Sequence, residues 1–172
     1  SDPTLLAMAR HDLDGLHSNY ADAQTGVLAM THGSGETLIV RPSPTHDDAV
    51  PNANGVYAEA LIRYGAMAGD DSYGARADKL LHHLAPVMRT SAMAHGSLWS
   101  ALDLRLNAAR IVIAGPDQDV LRTAALRVPF HRRIVLVITQ GSPLPPDHPA
   151  HGAAMAVAAS GHAAAFVCHD GR

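Results

Sequence analysis

The sequence predicts an α+β chain in which packed helices, interrupted early by a β-hairpin, run into a small α/β unit. Three observations predict it. Aromatic residues make up only 4% of a chain that is 47% hydrophobic and rich in Ala, a composition suited to close helix packing rather than to a β-sandwich. Apolar side chains recur every three or four positions between Val56 and Leu106, the period of a buried helical stripe. After Arg110 that period gives way to two short β-branched runs, Ile111-Val112-Ile113 and Ile134-Val135-Leu136-Val137-Ile138, with a helical stretch between them. This is the order of a β-α-β unit with buried strands.

Each element has its own signal. Leu5, Leu6, Met8, Ala9, Leu13 and Leu16 mark a helix over about residues 4–16, entered through Asp2-Pro3. Val27–Met30 and Thr37–Val40 flank the turn-forming His32-Gly33-Ser34-Gly35 and predict a hairpin over residues 25–42. Between Arg41 and Gly55, the three prolines Pro42, Pro44 and Pro51 forbid or restrict helical backbone around them, so this stretch is a loop feeding a helix. Val56, Tyr57, Ala60, Leu61, Tyr64, Met67 and Ala68 form the stripe of that helix, and Gly69 is a C-terminal stop. Asp70-Asp71-Ser72 offers an N-cap for a second helix carrying Tyr73, Ala77, Leu80, Leu81, Leu84, Val87 and Met88. The short connection makes the two an antiparallel pair. Ser91 is placed to cap a third helix, with Leu98, Trp99, Leu102 and Leu106 toward the core. Residues 117–127 read as the crossover helix, residues 140–152 as a Pro-rich loop, and Ala163–Cys168 as a last strand. The division expected is a helical segment over residues 1–108 and an α/β unit over 109–172, the latter truncated because its last strand meets no closing element.

Composition excludes several function classes. A net charge of -3 with scattered Lys and Arg presents no basic face for a phosphate backbone, so no nucleic-acid partner is expected. No apolar run reaches the roughly 18 to 20 residues that cross a bilayer, and no membrane partner is expected. The single cysteine, Cys168, forbids an internal disulfide framework and agrees with a reducing, cytoplasmic setting. Twelve histidines raise the question of metal, but His82 and His83 are adjacent on one helix, and no His-Glu-x-x-His is present. No metal site and no cofactor are expected. Gly115-Pro116-Asp117-Gln118-Asp119 lacks the glycine patterns of nucleotide loops, and Gly96-Ser97-Leu98-Trp99-Ser100 departs from the nucleophile elbow.

Residues 37–42, Thr-Leu-Ile-Val-Arg-Pro, then Asp48-Ala49-Val50-Pro51-Asn52-Ala53-Asn54-Gly55 and a helix ending in Ala68-Gly69-Asp70, resemble a known family. The chain looks like the C-terminal end of the YyaL and spermatogenesis-associated-protein-20 group, in which a thioredoxin-like domain is joined to a six-hairpin, glycosidase-like helical toroid. The family loop reads Asp-x-Ala-x-Pro-Ser-Gly-Asn-Ser, and Asp48, Ala49, Pro51 and Asn54 stand at its places while Asn52, Ala53 and Gly55 depart from it. The Ile111–Gly115 strand and the terminal Phe166-Val167-Cys168 match as well. The latter resembles a Cys-x-x-x-x-Cys element whose second cysteine would fall just past Arg172.

The resemblance implies a partial α/α toroid, built of helical hairpins plus the β-hairpin, before the α/β unit. It also implies a carbohydrate ligand, bound or processed in a glycosidase- or sugar-epimerase-like parent of which this fragment is inactive alone. Arg41, His46, Asp48, Asn52 and Asn54 are the candidate substrate-binding residues, because the loop concentrates donors, acceptors and an imidazole at a helix start. No catalytic residue is assigned: Asp47 and Asp48 are adjacent, whereas glycoside hydrolysis needs carboxylates roughly 5 to 9.5 Å apart across the scissile bond. His46 and His95 suit an epimerase base chemically. The competing reading is a non-catalytic binding or assembly module in which Asn52 or Asn54 caps the helix, Asp48 ties down the loop and Arg41 neutralises a carboxylate. A helical face left open by absent hairpins is expected to show an apolar patch, covered by a homodimer or by the N-terminal part of the parent.

Overall fold

The computed structural model describes residues 2–34, 40–138, 144, 146 and 148–169, and its fold is mixed helix and sheet. Two compact units emerge, Thr4–Arg105 and the stretch from Leu106 onward.

The first unit is helical. Helix α1 spans Pro3–Tyr20, α2 Ala53–Ala68, α3 Asp71–Thr90 and α4 Gly96–Asn107, with a 3-10 turn over Ala92–His95 ahead of α4. Helices α2 and α3 pack along their stripes, burying Tyr57, Leu61 and Ile62 against Tyr73, Ala77, Leu80, Leu81 and Leu84. Between them the Asp70 carboxylate accepts the Ser72 N–H at 3.0 Å, an N-cap that is legible in the sequence. Helix α1 is fastened to α3 by polar contacts: Asp14 Oδ1 accepts from the Tyr73 hydroxyl at 2.9 Å and from Arg76 Nη1 at 2.8 Å. Only Leu13 of α1 is fully buried, while Leu5 is 62% and Met8 58% exposed.

Three local expectations need correction. Val27–Met30 forms no strand; its one β contact among the described residues is an isolated antiparallel bridge between Leu28 and Ala21. The hairpin's other arm, Thr37–Ile39, lies outside the described residues. Ser91 does not cap a helix with its side chain, because the 3-10 turn intervenes and the start of α4 is served from elsewhere. On α4 the buried face is Leu98, Ala101 and Leu104, whereas Trp99 is 38% and Leu106 64% exposed. The stripe is rotated from the one that the largest side chains suggest, since small Ala101 permits closer packing than Trp99 does.

The second unit is a three-stranded sheet with helices. Strand β1 (Ala109–Ala114) pairs in parallel with β2 (Arg133–Val137) through the crossover helix α5 (Asp119–Arg127). Strand β3 (Ala164–Cys168) pairs antiparallel on the other side of β1, giving the order β2-β1-β3. The central strand is the most buried, with Val112, Ile113 and Ala114 at 0% exposure. Helix α6 (His151–Ser160) begins at the end of the stretch read as a Pro-rich loop. Its Ala-rich sequence has high helix propensity but no polar face to set a period.

Gly115 ends β1 with φ +99°, and a Cβ there would stand 2.0 Å from the His162 carbonyl oxygen and 2.8 Å from Ala163 Cα. Both neighbours are backbone, so neither yields by a rotamer change. Gly115→Ala is predicted to destabilise the protein by about 2–4 kcal/mol, read by urea denaturation. Gly152→Ala, with nothing within 4 Å of its Cβ position, is predicted to stay within about 0.5 kcal/mol of the parent. Equal losses at the two sites would contradict this placement of the β1–β3 junction.

Candidate functional site

The polar loop preceding α2 lacks a regular hydrogen-bond ladder, so its peptide groups must find partners individually. They find them in three side chains. Asn52, 5% exposed, caps α2 by accepting the Asn54 N–H at 2.8 Å. Its Nδ2 donates to the Pro44 carbonyl at 2.8 Å and to the His46 carbonyl at 3.2 Å. Asn54, 1% exposed, reaches back to Leu28: Oδ1 accepts its N–H at 2.7 Å and Nδ2 donates to its carbonyl at 3.3 Å. The Asn54 amide thus takes the place that a neighbouring strand's peptide would fill.

Asp47 is the third. Its Oδ1 accepts the Asn52 N–H at 2.7 Å and the Ser97 hydroxyl at 2.5 Å, and Oδ2 accepts the Ser97 N–H at 2.7 Å. One carboxylate therefore joins the start of α2 to the start of α4, where exposed peptide N–H groups favour an anion. Partial burial pushes this carboxyl's pKa up, but the bonds from the Ser97 hydroxyl, the Ser97 N–H and the Asn52 N–H outweigh it and hold it below the ordinary value. Gly55 makes the junction sterically possible, since a Cβ there would lie 2.2 Å from Ser97 Oγ and 2.8 Å from the Ser97 carbonyl carbon.

The five sequence-predicted residues divide accordingly. Asn52 and Asn54 meet at the Pro44 carbonyl, which both amides approach, and their polar atoms are spent on the loop itself. His46 is exposed and lays its ring 4.7 Å from that of His95, which is fully buried. Asp48 is exposed, and its side chain makes no hydrogen bond or ion pair with any described residue. Arg41 stands apart: Nη2 donates to the Thr31 carbonyl, and Nε is buried without an acceptor among the described residues. It pairs with no carboxylate among the described residues.

No protein-family model matches this chain, and no curated protein matches it.

Sequence reasoning missed the roles of Asp47, Ser97 and His95. His95 Nδ1 lies 2.7 Å from the Ser91 carbonyl, which can only accept, so that nitrogen carries the proton. In the neutral ring Nε2 is then an acceptor, with Thr45 Oγ1 at 3.5 Å. Among the described residues no group of three His, Cys, Asp or Glu side chains is arranged to hold a metal ion, and no helix is long and apolar enough to cross a membrane. The site offers an exposed imidazole and carboxylate on a firmly bonded frame, an arrangement suited to hydrogen-bonding hydroxyl groups.

Asp47→Asn is predicted to cost about 2–4 kcal/mol at neutral pH, because it removes the charge-assisted bonds and leaves buried donors unmatched. The wild-type carboxylate has a folded pKa below its unfolded value of about 3.9. Its stabilisation is complete above that pH and fades as pH falls through the lower folded value. The variant's stability should therefore fall less steeply below about pH 4, measured by urea denaturation across pH; parallel acid limbs would remove Asp47 from this role.

Proposed function

We propose that the chain is the C-terminal part of a protein related to the YyaL and spermatogenesis-associated-protein-20 group, contributing closing helices to an α/α toroid that binds or processes carbohydrate. The observation that carries this reading is the loop before α2, where Asp47, Asn52 and Asn54 fix the backbone while His46 and Asp48 stay exposed. Preorganised polar groups lose little freedom on binding a hydroxylated ligand. A further support is α1, whose Leu5 and Met8 are exposed although the sequence places them on an apolar stripe. In a toroid that face would be covered by a neighbouring hairpin.

In this reading the five loop residues have different tasks. His46 and Asp48 touch the ligand, Asn52 and Asn54 position the loop, and Arg41 holds the segment around Thr31. A second reading, a non-catalytic binding or assembly module attached to a thioredoxin-like domain, is favoured by one specific observation: each side-chain oxygen and nitrogen of Asn54 and Asp47 already bonds within the protein itself. Between Arg41 and Gly55 the carboxylates are Asp47 and Asp48 alone, adjacent in the chain rather than set apart as an acid–base pair.

Thermal shift against a panel of mono- and disaccharides separates the two. The carbohydrate reading predicts a sugar-dependent rise in Tm that His46→Ala and Asp48→Ala lose while melting like the parent without sugar. Asn54→Ala should instead lower stability by about 2–4 kcal/mol, since it strands the buried Leu28 peptide groups. No sugar shift, with Asn54→Ala still destabilising, would leave the non-catalytic module.

A further inference from the structure

Away from the loop, a groove of about 280 Å³ opens among α1, α2 and α3, lined by residues that include His17, Tyr57, Ser72, Arg76 and Lys79. Its chemistry is one-sided. Two cations, Arg76 and Lys79, line it, and among the described residues no carboxylate does.

Both cations are held in place with donors to spare. Arg76 gives one N–H to Asp14 at 2.8 Å, and its guanidinium carbon lies 4.6 Å from the Tyr73 ring centroid. These contacts fix the plane of a group that has five N–H donors. Lys79 Nζ donates to the Ala23 carbonyl at 2.8 Å, which leaves two of its three N–H bonds for other acceptors. Asp14, which is not among the lining residues, pairs with Arg76 and offsets part of its charge through an Oδ1 that also receives the Tyr73 hydroxyl, so Lys79 brings the groove's uncompensated positive charge.

Two further lining side chains, His17 and Tyr57, are neutral. The Tyr57 hydroxyl and His17 Nδ1 lie 3.3 Å apart. Burial, then the Arg76 charge, lowers the His17 pKa, and burial pushes the Tyr57 phenol up to about 12. At neutral pH the pair therefore supplies an uncharged imidazole and a protonated phenol, beside the aromatic face of Tyr57 and the alkyl stems of Arg76 and Lys79.

We propose that this groove is a binding site for a small organic oxyanion, a compact ring-sized body carrying one carboxylate or phosphate, with Arg76 and Lys79 holding the oxyanion and Tyr57 and His17 contacting the body. Guanidinium and ammonium groups are the usual partners of both anions. The volume lies at the lower edge of the roughly 300–1,000 Å³ typical of ligand pockets, which restricts the occupant to about one ring. The site is separate from the loop before α2 and does not depend on the carbohydrate reading.

The test is a titration of the ¹⁵N-labelled chain, followed by amide chemical shifts, with phenyl phosphate, benzoate and inorganic phosphate. Benzyl alcohol and sodium chloride at matched ionic strength serve as controls. Saturable shifts at His17, Ser72, Arg76 and Lys79 are expected with phenyl phosphate or benzoate, and the tighter of the two identifies the oxyanion. Lys79→Gln alters an exposed side chain bonded to a single carbonyl, so the fold is retained while affinity falls about tenfold. Arg122→Gln, in the other unit, should leave affinity unchanged. The proposal is overturned if neither organic anion gives saturable shifts there, if benzyl alcohol or chloride reproduces them, or if Lys79→Gln binds as tightly as the parent.

Discussion

The first unit depends on a polar clasp: the Asp47 carboxylate bonded at once to the start of α2 and the start of α4. The described residues between α1 and α2 form no helix or strand, and a chain in that state must satisfy each buried peptide separately or lose about 1–3 kcal/mol for each one left unmatched. Asp47, Asn52 and Asn54 solve this with few side chains. Their bonds bridge 26 residues to Leu28 and 50 residues to Ser97, so they set tertiary position as well as local conformation. Gly55 belongs to the same device, because the absent side chain is what lets Ser97 approach α2 closely enough to share the carboxylate.

The regular elements were legible in the sequence because their signals are local. The stripes of α2 and α3 repeat every three to four residues, Asp70 caps from the adjoining position, and the β-branched runs around Val112 and Leu136 stand out from an Ala-rich background. What escaped is non-local. Nothing in the sequence couples Asp47 to Ser97, and the loop's composition gives Asp48 the same standing as its neighbour Asp47, which carries the structural bonds. Val27–Met30 has strand-like composition, yet the Leu28 peptide is satisfied by an asparagine amide. On α4 the large side chains of Trp99 and Leu106 point to a different face from the one that Ala101 helps bury, because helix packing selects for closeness as much as for side-chain size. Helix α6 escaped because a nearly all-apolar segment has no period to detect.

The division within the candidate site has a functional consequence. Residues that hold a loop and residues that meet a ligand are both polar and often adjacent, and composition alone does not separate them. Burial and bonding do: Asn54 is enclosed with its amide spent, whereas Asp48 is exposed. A carbohydrate ligand, under the proposed function, would be met by the exposed members alone. The groove beside α1 follows a different logic, in which a cation is fixed by one carboxylate and by an aromatic ring, leaving its other donors available. Polar residues there organise a charge, whereas at the loop they organise a backbone.

The claim that the clasp determines the unit is tested most directly by a double-mutant cycle on Asp47→Asn and Ser97→Ala, with unfolding free energies from urea denaturation. The account predicts a coupling energy above about 1 kcal/mol, as expected for residues sharing charge-assisted bonds. It further predicts that native-state exchange of the Asn52 and Leu28 amides in the parent requires near-global opening. Additive effects within about 0.3 kcal/mol, with both amides exchanging as fast as an unstructured loop, would contradict it.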